Sequence, residues 1–313
     1  MRHVTTRVVG LTAVAALVAL AFGVATASAL PEFGQCVVQP KHEGRYTNNV
    51  CTAKAKKVSE KFTGEFEWRK ATEIEAAKRT FAGTGGEAHF YGQYRACEPG
   101  FNVRAQKCHE GETEGVIPFG VHCASEENSG TITGKNLVGS VSVTFKGCKE
   151  DASGSSCQSG ATEEEIKFST LKGKIGFINK KVTPREVGLL LEPTSKKTRV
   201  TTYHCDGPEL SFVIGMGNEV EGCVYPLKLC GGNGVISAIT PVNTATTTFT
   251  QVFTASEETA ENVPSKFEGT QPLKVLESYL FRPESPVTSM WSKIGESLTN
   301  SDKTPEAIEI KAN

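Results

Sequence analysis

Between residues 139 and 157 the chain alternates and then closes on cysteine, and no other stretch constrains the fold as much. Val141, Val143 and Phe145 are separated by Ser140, Ser142, Thr144 and Lys146, so at the two-residue period of a strand every apolar side chain falls on one face. That face belongs to a core and the other to water. The run ends at Gly147-Cys148, followed by a polar loop rich in Ser and Gly at 149–156 and then by Cys157. This is the layout of a hairpin whose mouth is closed by a disulfide.

The same period recurs along the chain. Phe62, Phe66 and Trp68 fall on alternate positions of a strand over 61–70, with Glu65 and Glu67 on its other face. Ile166 and Phe168 alternate on one strand and Ile175 and Phe177 on the next, with a turn at 171–173. Val187, Leu189 and Leu191 follow, then the β-branched 198–205, the alternating Leu210, Phe212, Ile214 and Met216, and strands over 235–239 and 244–253. Val116 to Ala124 is short and apolar and carries His122-Cys123 into a polar loop before Gly139, and 71–79, dominated by Ala, Glu and Lys, reads as one short helix. About nine strand candidates with one helix predict an all-β chain, an antiparallel sandwich or distorted barrel with little helix.

Residues 1–29 carry Arg2 and Arg7, an apolar run over 8–25 and the small-residue end Ala27-Ser28-Ala29, the pattern of a secretory signal peptide cleaved after Ala29. An uncleaved anchor is the alternative, because the run is long enough to span a bilayer. The expected domains are the signal, 1–29, a disulfide-rich β domain over 30–280 with room for a sub-boundary near 111–115, and a proline-broken, poorly packed tail over 281–313 with one helical turn near Trp291. Without Arg2 and Arg7, the 34 basic residues fall to 32 against 35 acidic ones. That balance argues against nucleic acid as a partner. No second long apolar run follows, so no membrane span is expected after signal cleavage.

All 10 cysteines follow the signal, and in an oxidising compartment an even count reads as a disulfide framework. Short loop closure pairs Cys36 with Cys51, Cys97 with Cys108, Cys148 with Cys157 and Cys223 with Cys230, leaving Cys123 with Cys205. The first of these would remove about 3 kcal/mol of denatured-state entropy.

The run Leu30-Pro31-Glu32-Phe33-Gly34-Gln35-Cys36 resembles the mature start of a set of uncharacterised secreted proteins of high-GC Gram-positive soil bacteria. The strand Val141-Ser142-Val143-Thr144-Phe145 closing on Gly147-Cys148 is similar to theirs, as are Cys157, Cys205 and Lys266-Phe267-Glu268-Gly269. The resemblance covers most of the mature chain and implies secretion without an activity. Cys97, Cys108, Cys223 and Cys230 depart from the pattern.

Candidate chemistry is sparse. Cys108-His109, His122-Cys123 and His204-Cys205 invite zinc, but adjacent strand residues point to opposite faces, so each pair offers one ligand at most and export favours disulfides. His42-Glu43 and His109-Glu110 lack the second histidine of a metalloprotease helix, and Gly-x-Ser-x-Gly is absent. The glycines at 215–217 and 231–234 lack the strand-then-helix setting of a phosphate loop. No cofactor or metal is expected. Glu65 and Glu67 are the one catalytic constellation, with Cα atoms about 6.6 Å apart at strand rise, near the roughly 5.5 Å carboxyl spacing of a retaining glycosidase. Thr244, Thr246, Thr248 and Thr250 form a row that could meet a polymer, although threonine is also an ordinary strand former. The expectation is a secreted or envelope-associated binding or structural module without catalysis, with cell-wall or extracellular glycan as its partner. The alternative is an extracellular glycoside hydrolase using Glu65 and Glu67.

Overall fold

The computed structural model describes residues 30–40, 43–98, 101–102, 107–108, 113–194, 200–205, 211–215, 234–271, 273, 277–281 and 290–312. The signal segment 1–29 and the pair Cys223–Cys230 lie outside the described residues, as do the side chains of Cys97 and Cys108. Eighteen strands join one antiparallel sheet. In chain order they are β1 Glu32–Val38, β2 Phe66–Lys70, β3 Thr80–Gly85, β4 Ala88–Glu98, β5 Thr113–Cys123 and β6 Ser125–Ile132. Next come β7 Leu137–Lys146, β8 Lys149–Glu150, β9 Cys157–Gln158, β10 Glu165–Lys167, β11 Leu171–Asn179 and β12 Glu186–Pro193. The last six are β13 Thr201–Cys205, β14 Ser211–Gly215, β15 Val235–Thr240, β16 Thr246–Phe253, β17 Glu277–Phe281 and β18 Met290–Lys311.

The sheet closes on itself. The pairings β3–β6, β6–β7, β7–β11, β11–β12, β12–β15, β15–β16, β16–β18 and β18–β3 return to the starting strand, which makes an eight-stranded barrel rather than a sandwich. Closure removes the exposed edges that an open sheet must protect. A second circuit continues from the first, because β3 runs on into β4, β6 follows directly on β5, β7 leads into β8, and β18 is long enough to serve both. It runs β18–β4, β4–β5, β5–β8, β8–β9, β9–β13, β13–β14, β14–β17 and β17–β18.

The period-two stretch behaves as its sequence requires. Val141, Val143 and Phe145 of β7 are buried and Ser140 and Ser142 exposed. Beside them on the same wall are Leu171, Ile175 and Phe177 of the paired strand β11 and Val187, Leu189 and Leu191 of β12, all in one buried cluster. Outward positions carry charge, with Lys146 2.7 Å from Glu127 and Lys172 3.8 Å from Glu192. An apolar interior under a charged exterior is the inverse of a lipid-facing barrel. Among the described residues no helix is long and apolar enough to cross a membrane. The Lys266-Phe267-Glu268-Gly269 segment lies on the outside, where Phe267 covers Leu190 and Ile236 and Glu268 accepts the Lys180 amide at 2.9 Å.

Several expectations need correction. Within the tail expected to be poorly packed, residues 290–311 form β18, which spans 22 residues and pairs with β1, β3, β4, β16 and β17. Its inward side chains include Glu296, Asn300, Asp302 and Thr304, so hydrophobic alternation never marked it as a strand. Trp291 lies in β18 rather than in a helical turn. The polar loop before β7 is strand β6, masked in the same way by inward Glu126 and Asn128. Residues 171–173 belong to β11 rather than to a turn. Residues 113–115 open β5, whose ladder with β4 runs from Ala88↔Cys123 to Glu98↔Thr113. In place of one helix over 71–79 there are two short 3-10 turns, Ala71–Glu73 and Ala76–Arg79.

The bridge Cys36–Cys51 forms as expected. Two others differ, since Cys123 bonds to Cys148 and Cys157 to Cys205. The hairpin between Cys148 and Cys157 exists, with the Cys157 amide donating to the Cys148 carbonyl at 2.8 Å, but each of its cysteines bonds outward to the flanking strand. Cys157 and Cys205 are direct cross-strand partners, and Cys148 stands one step beyond the His122↔Lys149 pair, opposite Cys123. Strands of two residues hold few ladder hydrogen bonds, and the bridges clip them into the circuit.

Candidate functional site: an acid and amide cluster inside the barrel

Where the two circuits meet, the barrel interior keeps a cavity of about 40 Å³. That is room for one to three waters or a compact chemical group. Its wall is largely apolar, built by Phe81, Phe90, Val143, Phe168, Leu189 and Ile214 among others. One side is polar. Glu126 and Asn128 reach it from β6, Glu296 and Asn300 from β18, and Gln251 from β16.

The backbone makes room for these groups. A Cβ on Gly83 would lie 2.2 Å from Asp302 Oδ1, and one on Gly85 2.9 Å from Glu126 Oε2. Two inward positions of β3 thus surrender their side chains to carboxyls on neighbouring strands.

The cluster is knit by amides. Asn128 Nδ2 donates to Glu126 Oε2 at 3.4 Å, and Asn300 donates to the same carboxyl. Asp302 accepts from Gln251 and from Asn128, while Ser237 Oγ donates to Gln251 Oε1 at 2.9 Å. Burial dominates the titration of all three acids. It pushes Glu126 up to about 7, with Asn128 opposing and Asp302 adding repulsion. Glu296 rises to about 8 through burial and the neighbouring Glu126. Asp302 is raised as well, against the pull of Gln251 and Asn128. No basic group enters these balances. Asn128 Oδ1, Asn300 Oδ1 and Asp302 Oδ1 are buried without a hydrogen-bond partner in the protein, so the cavity presents acceptors in excess of donors.

Sequence reasoning found none of this cluster. The one available signal was spacing, since Glu126 and Asn128, and Asn300, Asp302 and Thr304, recur at every second position within otherwise polar runs.

The structure separates the residues that sequence had grouped. Glu65 lies at an exposed bend before β2, and only Glu67 is on the strand. Arg45 clasps Glu67, with Nε 2.7 Å and one terminal nitrogen 2.6 Å from Oε1, while the Arg45 amide donates to Oε2 at 3.1 Å. Burial of Glu67 works against ionisation, but the Arg45 contacts outweigh it and hold the carboxyl below its usual range. An acid catalyst needs the opposite shift. Trp68 faces away and is buried, as its alternation implied. Thr246 and Thr248 point outward, yet Thr246 Oγ1 is engaged with Thr248 at 3.0 Å and the register shifts between them, so the threonine row is not a flat array. Cys123 and Cys205 are oxidised, and His204, next to Cys205, pairs across to Gln158. His42 and His109 lie outside the described residues. Compared with known proteins, the chain matches no protein family, no curated relative and no solved structure.

Proposed function

We propose that this is an exported, non-catalytic binding protein that takes a small apolar amine into the barrel. The observation that carries the reading is the donor-poor cavity, where buried acceptors and two carboxyls of raised pKa face apolar walls. An ammonium group brings up to three donors and a positive charge, and a short hydrocarbon body suits the aromatic and aliphatic lining. Export is supported by the signal-like first 29 residues, by the resemblance to secreted soil-bacterial proteins, and by three disulfides. A glycan partner would have to meet the outer face, which carries charged pairs such as Lys146 with Glu127 and Lys172 with Glu192.

Calorimetric titration of the mature chain with isobutylamine, and with isobutanol as the uncharged control, tests the reading at pH 6 and pH 8.5. Because a bound ammonium favours the ionised carboxyls, amine affinity should rise by about 10-fold or more between the two pH values, one decade being about 1.4 kcal/mol. Isobutanol should show no such rise. Glu296→Gln should weaken the pH dependence, leaving the part that Glu126 carries, and remove most of the amine affinity. Amine binding that ignores this substitution, or none below about 10 mM, contradicts the proposal. Turnover of soil polysaccharides that disappears in Glu67→Gln would replace it with the hydrolase reading.

A further inference from the structure

We infer a second site, on the outside of the barrel, for a late first-row divalent cation of the zinc, nickel or copper type, held by Glu87, His89 and His122. His89 of β4 and His122 of β5 are direct cross-strand partners, one position from the Ala88↔Cys123 pair. Ala88 and Cys123 are fully buried, so at strand period both imidazoles are turned to the opposite, outer face. Glu87 precedes His89 by two residues and shares that face. One ligand atom from each of the three lies within 4.8 Å of the others. The imidazoles stack with centroids 4.7 Å apart, and Tyr91 lies against His89 at 5.9 Å.

A second observation points to a ligand. His122 Nε2 is shielded from solvent and has no hydrogen-bond partner, although it stands 3.9 Å from Glu87 Oε1. The nearby cation does not fill the gap, because Lys149, cross-strand to His122, turns its ammonium to Glu164 at 3.2 Å. Two neutral imidazoles and a carboxylate suit borderline cations better than calcium or magnesium, and three protein ligands leave one position for water. A bound ion would draw these donor atoms to about 2.0–2.2 Å. The Cys123–Cys148 bridge fixes the backbone beside His122. A bound ion would add a link between β4 and β5 next to that bridge.

The test uses the mature chain, disulfides intact, without a histidine tag and stripped with EDTA. Competition against a zinc-sensitive dye should show one equivalent of Zn²⁺ bound at about micromolar Kd. His89→Ala should weaken this by about 10-fold to 100-fold and Glu87→Gln by less, the size of effect that ligand-shell changes produce. Cobalt should give visible absorption bands that disappear in His89→Ala. His204→Ala, on β13 opposite Gln158, and Glu296→Gln, whose buried side chain turns to the inner face beside Phe90, should leave zinc affinity unchanged, separating this inference from the cavity. Wild-type affinity no tighter than about millimolar, or equal affinity in a folded His89→Ala protein, would overturn it.

Discussion

Around the first circuit every neighbouring strand pair shares three or more ladder positions, whereas around the second the β5–β8 and β9–β13 contacts have two each and β8 meets β9 at one isolated bridge. The first circuit holds itself by hydrogen bonds and a packed interior, and the chemical weak point lies where it meets the second, at the carboxyls placed among apolar side chains. The second has a mechanical weak point, a seam of short strands, and both non-local disulfides lie there. The comparison teaches that one barrel can carry two distinct liabilities, one read by pH and the other by reductant.

The largest separation of the two should come from pH. Glu126 and Glu296 are raised to about 7 and about 8 in the fold, while the unfolded chain ionises them near 4.3. Below that value both states are protonated and the full stability is present. As pH rises the unfolded state loses protons first, so stability falls by up to about 1.4 kcal/mol per pH unit per group until the folded pKa is passed. Burial of Glu309, only partly opposed by Lys311, raises it to about 7 and adds a contribution of the same sign. Urea unfolding should therefore show a loss on the order of 10 kcal/mol between pH 5 and pH 9, and Glu296→Gln should recover a substantial part of it at pH 9 and little at pH 5.

Reductant should act on the other circuit. Loops of 25 and 48 residues predict about 3.5 and about 4 kcal/mol for the two seam bridges in the chain-entropy model. Replacing Cys157 and Cys205 by serine should cost about 2–4 kcal/mol and speed amide exchange in β8, β9 and β13 well before β7 or β11. Uniform loss of protection through both circuits would erase the distinction.

The smallest effect is expected at Glu67. Its ion pair with Arg45 is partly exposed, so Glu67→Gln should change stability by less than about 1 kcal/mol and leave both circuits alike, as thermal melts at pH 7 would show.

The legibility of the chain follows the same division. Strands whose inward residues are apolar, such as β7 with Val141, Val143 and Phe145 or β12 with Val187, Leu189 and Leu191, announced themselves by period. Strands β6 and β18 did not, because a cavity lined by Glu126, Asn128, Glu296 and Asn300 replaces the apolar face that period detection relies on. The residues that define the site are therefore the ones that hid its strands. The disulfides failed for another reason, since short loop closure favours sequence neighbours, whereas Cys148 and Cys157 bond across a sheet order that spacing does not encode. The same ignorance of register hid His89 from His122.

The central claim is that burial inside a closed barrel raises the pKa of these carboxyls, so that they ionise against a bound ammonium. Carbon-13 spectra of the glutamate carboxyl groups, assigned through Glu126→Gln and Glu296→Gln, measure it directly across pH 3–10. Midpoints near 7 and 8 for these two residues, well apart from those of the surface glutamates, are the predicted result. Midpoints of both near 4.3, the ordinary glutamate value, would place them in water and contradict the account.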